Sequence, residues 1–163
     1  MQLDGNRSGE IAIRLATRAE SAAVTELIHA AFEEYRGRLA PESGALGETA
    51  ETIAAAFADH AVIVAEAKGR LVGCVLATRQ GEALYLGRFA VHPDVRQHGI
   101  ASRLLAEAER HARAAGATSL ALGVRIALPD NVRYFAARGF CEVGREAHPG
   151  FDRPTSIRME KRL

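Results

Sequence analysis

An apolar run ending Leu84-Tyr85-Leu86-Gly87-Arg88-Phe89-Ala90-Val91 leads through Arg96-Gln97-His98-Gly99-Ile100-Ala101 into an amphipathic helix, and this junction constrains the chain more than any other segment. A helix start leaves backbone N–H groups without partners and carries a partial positive charge. A turn stripped of bulky side chains there lets an anion reach the main chain, and Gly99 and Ala101 provide that clearance. The helix that follows places Ile100, Leu104, Leu105, Ala108, Ala112 and Ala115 on one stripe, with Arg103, Glu107, Glu109, Arg110 and Arg113 mostly outside it. Burying the stripe holds the turn rigid, so the junction is read as a phosphate site. Gly116 then stops the helix and Ser119–Val124 reads as a buried strand. A strand, a crossover helix and a strand imply locally parallel pairing.

The remaining segments fit around this unit. A strand is predicted at about Ile11 to Leu15, followed by Thr17-Arg18-Ala19-Glu20, which has the spacing of a capping box. A helix carrying Val24, Leu27, Ile28, Ala31, Phe32 and Tyr35 should run from there until Arg36-Gly37-Arg38 and Pro41, with a shorter one over about Glu48 to Ala58. The runs Ala61–Ala65 and Leu71–Ala77, separated by Lys68-Gly69-Arg70, read as a hairpin. A turn at Gln80-Gly81 adds the strand from about Ala83 to Val91, with Gly87 marking a bulge or a close backbone approach. Beyond Val124, Pro129-Asp130-Asn131 opens a short helix through about Arg138, Phe140–Val143 begins a strand, and the closing strand covers about Thr155 to Lys161.

With 163 residues the chain suits one domain of about 11–163, preceded by a polar tail over 1–10. A net charge of +1 gives no general reason to expect nucleic acid or an anionic membrane as partner, so an anion site must be local. No apolar run is long enough to cross a bilayer, and a cytoplasmic location is expected. Cys74 and Cys141 both sit in apolar, strand-like runs and are read as buried, reduced thiols. His92 and His98 flank the phosphate turn, but no set of ligands stands at metal spacing, and no metal is expected. The turn also lacks the Lys and second Gly of a nucleotide-hydrolysing loop and the dinucleotide glycine fingerprint. Ser102 and His111 lack a nucleophile elbow and are better explained by helix capping and a solvated face.

Taken in order, Val91-His92-Pro93, Arg96-x-x-Gly99-x-Ala101, a helix, a strand, Asn131 and finally Arg138-Gly139-Phe140 resemble the GNAT superfamily of acyl-CoA-dependent N-acetyltransferases, over about Ile11 to Leu163. The resemblance implies an α/β (α+β) fold: a mixed, largely antiparallel sheet flanked by helices, with a splayed strand pair forming an acetyl-CoA cleft. It implies that the N–H groups of Gln97, His98, Gly99, Ile100, Ala101 and Ser102 cradle the pyrophosphate of acetyl-CoA, with Arg96 at the mouth of the loop. The backbone of Phe89, Ala90 and Val91 would bond the pantetheine arm as an added strand does. Asn131 matches the family's polar residue near the pantetheine, and a helix cap explains it equally well. The family's usual Tyr, which protonates the departing CoA sulfur, is replaced by Phe135; Tyr134 precedes it. One helical step turns a side chain by about 100°, so Tyr134 does not point where its neighbour would. It is the candidate acid, set against packing or substrate contact.

An alkyl ammonium, with a pKa near 10.4, must shed a proton before attacking a thioester. Glu82, His148 and Asp152 are candidate bases or water-holding groups, each set against the plain reading of a surface residue. The chain near Phe32, Glu33, Glu34 and Tyr35 and the His148–Arg153 loop should shape the acceptor pocket. Glu33 and Glu34 would attract a cationic amine or form a hydrated helix face. The expected partner is therefore a small-molecule or peptide amine, with a homodimer left open. The rival readings are a catalytically idle acyl-CoA-binding sensor and an acyltransferase with a different donor or acceptor.

Overall fold

The apolar runs become strands of one sheet in the computed structural model, which describes residues 10–163. The tail expected over 1–10 lies, apart from Glu10, outside the described residues. The strands are β1 (Ile11–Leu15), β2 (His60–Ala67), β3 (Arg70–Gln80), β4 (Ala83–Val91), β5 (Ser119–Arg125), β6 (Cys141–Glu146) and β7 (Ser156–Arg162). The helices are α1 (Ser21–Phe32), α2 (Ala50–Ala56), α3 (Ile100–Ala114) and α4 (Pro129–Ala136). The sheet has seven strands in the order β1-β2-β3-β4-β5-β7-β6. Every neighbouring pair is antiparallel except β4 and β5, which are parallel around the α3 crossover.

Local chemistry sets the turns. The two-residue connection from β2 to β3 has Lys68 and Gly69 both at positive φ, the conformation whose twist matches that of the flanking strands. The capping pair read from sequence closes a 3-10 turn, Arg18–Glu20, that leads into α1, the Glu20 carboxylate accepting the Thr17 backbone N–H at 3.0 Å. The same carboxylate is gripped by Arg14 at 2.7 Å, which holds it down to about 2 and ties β1 to the helix start.

Alternation along the strands splits the interior into two cores. Ile63, Ala65, Val75, Leu84, Leu86, Leu120 and Leu122 face α3, which buries Ile100, Leu104, Leu105, Ala108 and Ala112 against them. Val62, Val64, Cys74 and Leu76 face the other way, beneath Val24, Leu27 and Ile28 of α1 and Ile53 of α2. Covering both faces of the central strands leaves them continuous apolar runs rather than alternating ones.

Several expectations need correction. Helix α1 ends at Phe32, and Glu33–Tyr35 form a tighter 3-10 turn. Helix α2 is shorter than 48–58 because the Thr49 side chain caps it, accepting the Thr52 N–H at 3.2 Å, and the chain tightens from Phe57 on, where N–H groups donate to carbonyls three residues back. Ala115, placed on the buried stripe of α3, is exposed beyond the end of the helix. Cys74 is buried, but Cys141 is exposed, because β7 inserts between β5 and β6 and makes β6 an edge strand.

Candidate active site

Strands β4 and β5 pair only from Ala83 with Ser119 to Leu86 with Leu122. Beyond that point β4 remains on β3, through Cys74 with Ala90 and Gly73 with Val91, while β5 remains on β7 as far as Arg125 with Ser156. The two strands part into a notch. A β-bulge drives the parting: the single residue Val75 on β3 faces both Arg88 and Phe89 on β4. The left-handed residue is Arg88, at φ 49°, one position after the Gly87 singled out by sequence. The Glu48 carboxylate accepts from the Arg88 guanidinium at 3.0 Å and holds it in this conformation. Parity flips across the bulge, so Leu84 and Leu86 face α3 while Ala90 joins the opposite core. Among the described residues the β4 backbone edge after the bulge has no strand beside it, which exposes main chain of Phe89, Ala90 and Val91 to the notch, the Val91 carbonyl accepting from Arg96 Nε at 3.4 Å.

The turn into α3 has Gln97 at φ 66° and Gly99 at φ 75° with His98 between them. Such changes of hand fold successive N–H groups toward one point and make a concave anion seat. Arg103 donates its N–H to the Gly99 carbonyl at 3.1 Å, whereas the N–H groups from Gln97 to Ser102 meet no protein acceptor among the described residues. A side chain built on Gly99 would meet nothing within 4 Å, so the seat is open. Its rigidity comes from Ile100 and Leu104, buried directly above Gly73 of β3.

A cavity of about 930 Å³ runs from this turn through the notch to the α1 and α2 side of the sheet. Phe89, Ala90, Val91, Arg96, Gln97, Gly99, Ile100, Ala101, Ser102, Asn131 and Tyr134 all line it, with Tyr35 and His148 on the far side. Its unpartnered N–H groups, open strand edge and length fit a long ligand with a diphosphate at one end.

The structure separates the remaining sequence candidates. The His98 ring folds back, with Nδ1 2.9 Å from the Arg96 carbonyl, so only the main chain of His98 faces the seat. Arg96 pairs with Glu34 at 2.6 Å and donates to the Ala31 carbonyl at 3.1 Å, acting as a staple between loop and helix. Glu33 is exposed and pairs with Arg36 at 2.8 Å, which keeps its carboxyl below the usual range. Neither acid expected to attract an amine is therefore free. Glu82 sits in the β3–β4 turn, at the closed end of β4, and Asp152 is exposed in the loop before β7; neither lines the cavity. Asn131 is not a cap, since α4 begins at Pro129 after Leu128, and its side chain is left to the cavity wall. Ser102 is likewise no cap, as Gly99 occupies that position.

The helical step between Tyr134 and Phe135 sends the two rings to different places. Phe135 packs edge-on against Phe89 at 5.9 Å and Phe140 at 5.6 Å. The Tyr134 hydroxyl lies 3.4 Å from Ser102 Oγ, in the first turn of α3, beneath the Arg138 guanidinium. Its phenol therefore stands at the α3-turn end of the cavity.

Of the three candidate bases His148 alone reaches the cavity. Thr155 Oγ1 accepts from the His148 backbone N–H at 3.0 Å and shares a hydrogen bond with its Nδ1. Nδ1 is thereby engaged, and among the described residues Nε2 meets no protein partner. Burial, then the nearby positive charge of Arg125, push its proton affinity below the ordinary value. Tyr85 of β4, Arg125 of β5 and Glu48 also line this side, and sequence reading missed all three. Tyr85 fits there because Gly123, two residues beyond its partner Ala121 on β5, has no side chain; a Cβ on it would lie 3.1 Å from the hydroxyl. Alternation along β4 and β5 was the available signal, since Tyr85 and Arg125 oppose the apolar face.

A family model described as "Acetyltransferase (GNAT) family" matches residues 21–140. The IAA acetyltransferase of Azospirillum brasilense is 34% identical over 144 residues, covering 86% of this chain and 91% of that relative. The PaiA N-acetyltransferase of Thermoplasma acidophilum, solved in complex with coenzyme A, superposes with a TM-score of 0.78 at 20% identity, over 94% of this chain and 99% of that one. The ribosomal-protein-S18-alanine N-acetyltransferase of Escherichia coli gives 0.75 at 18% identity, over 94% of each.

Proposed function

Because the chain belongs to the GNAT acetyltransferase family, we propose that it transfers an acetyl group from acetyl-CoA to a primary amine, by direct attack in a ternary complex. The observation that carries this reading is the open N–H seat from Gln97 to Ser102 beside the unpaired edge of β4. Acetyl-CoA, when bound, supplies the activated carbonyl that the amine attacks. The N–H groups of the turn hold its diphosphate, and the main chain of Phe89, Ala90 and Val91 holds its pantetheine arm. Fixing both ends of the arm places the acyl group at the bulge, where orientation supplies much of the rate.

The acceptor enters from the α1 and α2 side. His148, neutral near pH 7 because its proton affinity is lowered, takes the proton that an alkyl ammonium must lose, through Nε2 directly or by one water. CoA leaves as a thiolate of pKa near 8.5 and needs no phenol to do so. Tyr134 serves the phosphate end through Ser102.

The test combines acetyl-CoA titration calorimetry with CoA release across a panel of amines, on the parent and on Gly99→Glu. Glu adds a negative charge to the seat and puts a side chain where φ is 75°, at a cost of about 1–2 kcal/mol. A folded variant without acetyl-CoA affinity is expected. Retained affinity rejects the seat, and tight binding with no CoA release to any amine identifies an acyl-CoA sensor instead.

A further inference from the structure

The acceptor half of the cavity carries charge of one sign. Glu48 is the carboxylate lining it, and both its oxygens are engaged: Arg88 donates to Oε1 at 3.0 Å and Thr52 Oγ1 donates to Oε2 at 2.5 Å. Arg88 is neutralised by the same contact. Arg125 is different. Its Nη2 donates to the Pro41 carbonyl at 2.7 Å and to the Glu42 carbonyl at 3.2 Å, which anchors the guanidinium against the 41–42 loop without neutralising it. Among the described residues no carboxylate lies within 4 Å of it, and its Nε and Nη1 donate to no protein acceptor. The side chain is part-buried, and burial disfavours its charged form. The Glu42 carboxylate favours the charge only from beyond ion-pair distance, and a fixed, partly desolvated cation on a cavity wall is costly unless an anion arrives to pair with it. Arg125 pairs with Ser156 across β5 and β7, and His148 is hydrogen-bonded to the adjoining Thr155, so anion seat and proton acceptor are neighbours on the cavity wall.

We propose that the acceptor is an amino acid: a small amine with a carboxylate a few bonds from its nitrogen, the carboxylate accepting a single charge-assisted hydrogen bond from a free N–H of Arg125, on Nη1 or Nε, and the amine beside His148. This rests on the acetyltransferase reading and narrows it. With Nη2 held by the two carbonyls, Arg125 offers a carboxylate one charge-assisted hydrogen bond rather than a two-pronged fork, and its charge repels polycationic amines. Arg125 is a specificity residue and takes no part in proton transfer.

The experiment compares matched acceptors, phenylalanine and phenylalaninamide, leucine and leucinamide, by CoA release on the wild-type protein. The amide's nitrogen is less basic and so more often free, which biases the comparison against the proposal. The free acid is expected to be favoured in kcat/KM by roughly tenfold or more, the fold-equivalent of one charge-assisted hydrogen bond. Arg125→Gln should remove that preference by raising KM for the acid with little change in kcat or in acetyl-CoA affinity, and Arg125→Lys should restore part of it. A readout that needs no turnover is calorimetric binding of N-acetylphenylalanine against its amide to the CoA-loaded wild type, where the acid should bind tighter. Equal use and equal binding of acid and amide by the wild type overturns the amino acid proposal while leaving acetyl transfer intact. Preferential binding of the acid with no CoA release from any amine keeps the anion seat and overturns the catalytic reading.

Discussion

Replacing Gly73 with Ala tests whether the packing of α3 positions the phosphate seat. A Cβ on Gly73 would lie 2.9 Å from Ile100 Cγ2, 2.9 Å from Leu104 Cδ1 and 3.4 Å from Ala65 Cβ. Carbon contacts are comfortable at about 3.5–4.0 Å, so the helix start must retreat from the sheet by roughly 0.6 Å or more. Ile100 is 2% exposed and Leu104 is fully buried, so neither side chain has a void to swing into. Overpacking of this kind costs about 1–3 kcal/mol. Gly73 has no positive φ, so the smaller entropy of an unfolded Ala returns about 0.4–1 kcal/mol. The net loss is about 1–2 kcal/mol, which for a chain of this length lowers Tm by roughly 2–8 °C. Because Ile100 directly follows Gly99, the retreat also displaces the N–H groups at the seat, and acetyl-CoA affinity should fall by about tenfold. Gly87→Ala is the control, since its Cβ meets only ordinary contacts at 3.8 Å, and it should melt no lower than the parent. Thermal melting of the apo protein and titration calorimetry with acetyl-CoA read the two effects. An unchanged Tm for Gly73→Ala refutes the tight contact. A lowered Tm with unchanged affinity refutes the link between α3 packing and the seat.

Three other outcomes follow from the site. The kcat/KM for an amine should rise with pH through an inflection below 6.5 as His148 loses its proton, with Arg125 and Glu146 the charged groups acting on it. Arg125→Gln removes a repelling charge and should move that inflection upward, while His148→Ala should abolish it and lower the rate by about 10²–10⁴-fold; an inflection surviving in His148→Ala assigns it elsewhere. Tyr134→Phe should leave kcat and its pH dependence unchanged and weaken acetyl-CoA affinity by less than about tenfold, the limit for one neutral hydrogen bond; a hundredfold loss of kcat would make the phenol the acid after all. A disulfide-exchange reagent should label Cys141 and spare Cys74, whose thiol is buried and pushed up to about 12, so one of the two thiols reacts before unfolding and Cys141→Ser reacts only after it.

The order of elements, the glycine turn into α3 and the family were legible because they rest on short-range physics. Helical and alternating periodicity, a capping pair three residues apart and a glycine where φ is positive act within a few residues, so neighbouring letters are enough to read them. The parting of β4 from β5 was legible only as an implication of the resemblance. Its cause, a left-handed Arg88 held by Glu48, joins residues forty positions apart. Long-range pairing also decided the charges. Glu34 reads as an open acid until Arg96 closes on it, and Arg125 as an ordinary strand cation until the carbonyls of Pro41 and Glu42 anchor it beside the cavity without neutralising it. The exposure of Cys141 depends on β7 entering the sheet ahead of β6, a choice that no property of its own apolar run contains. Periodicity belongs to the chain, whereas a charge acquires its partner, and a strand its neighbours, only once distant segments have been brought together.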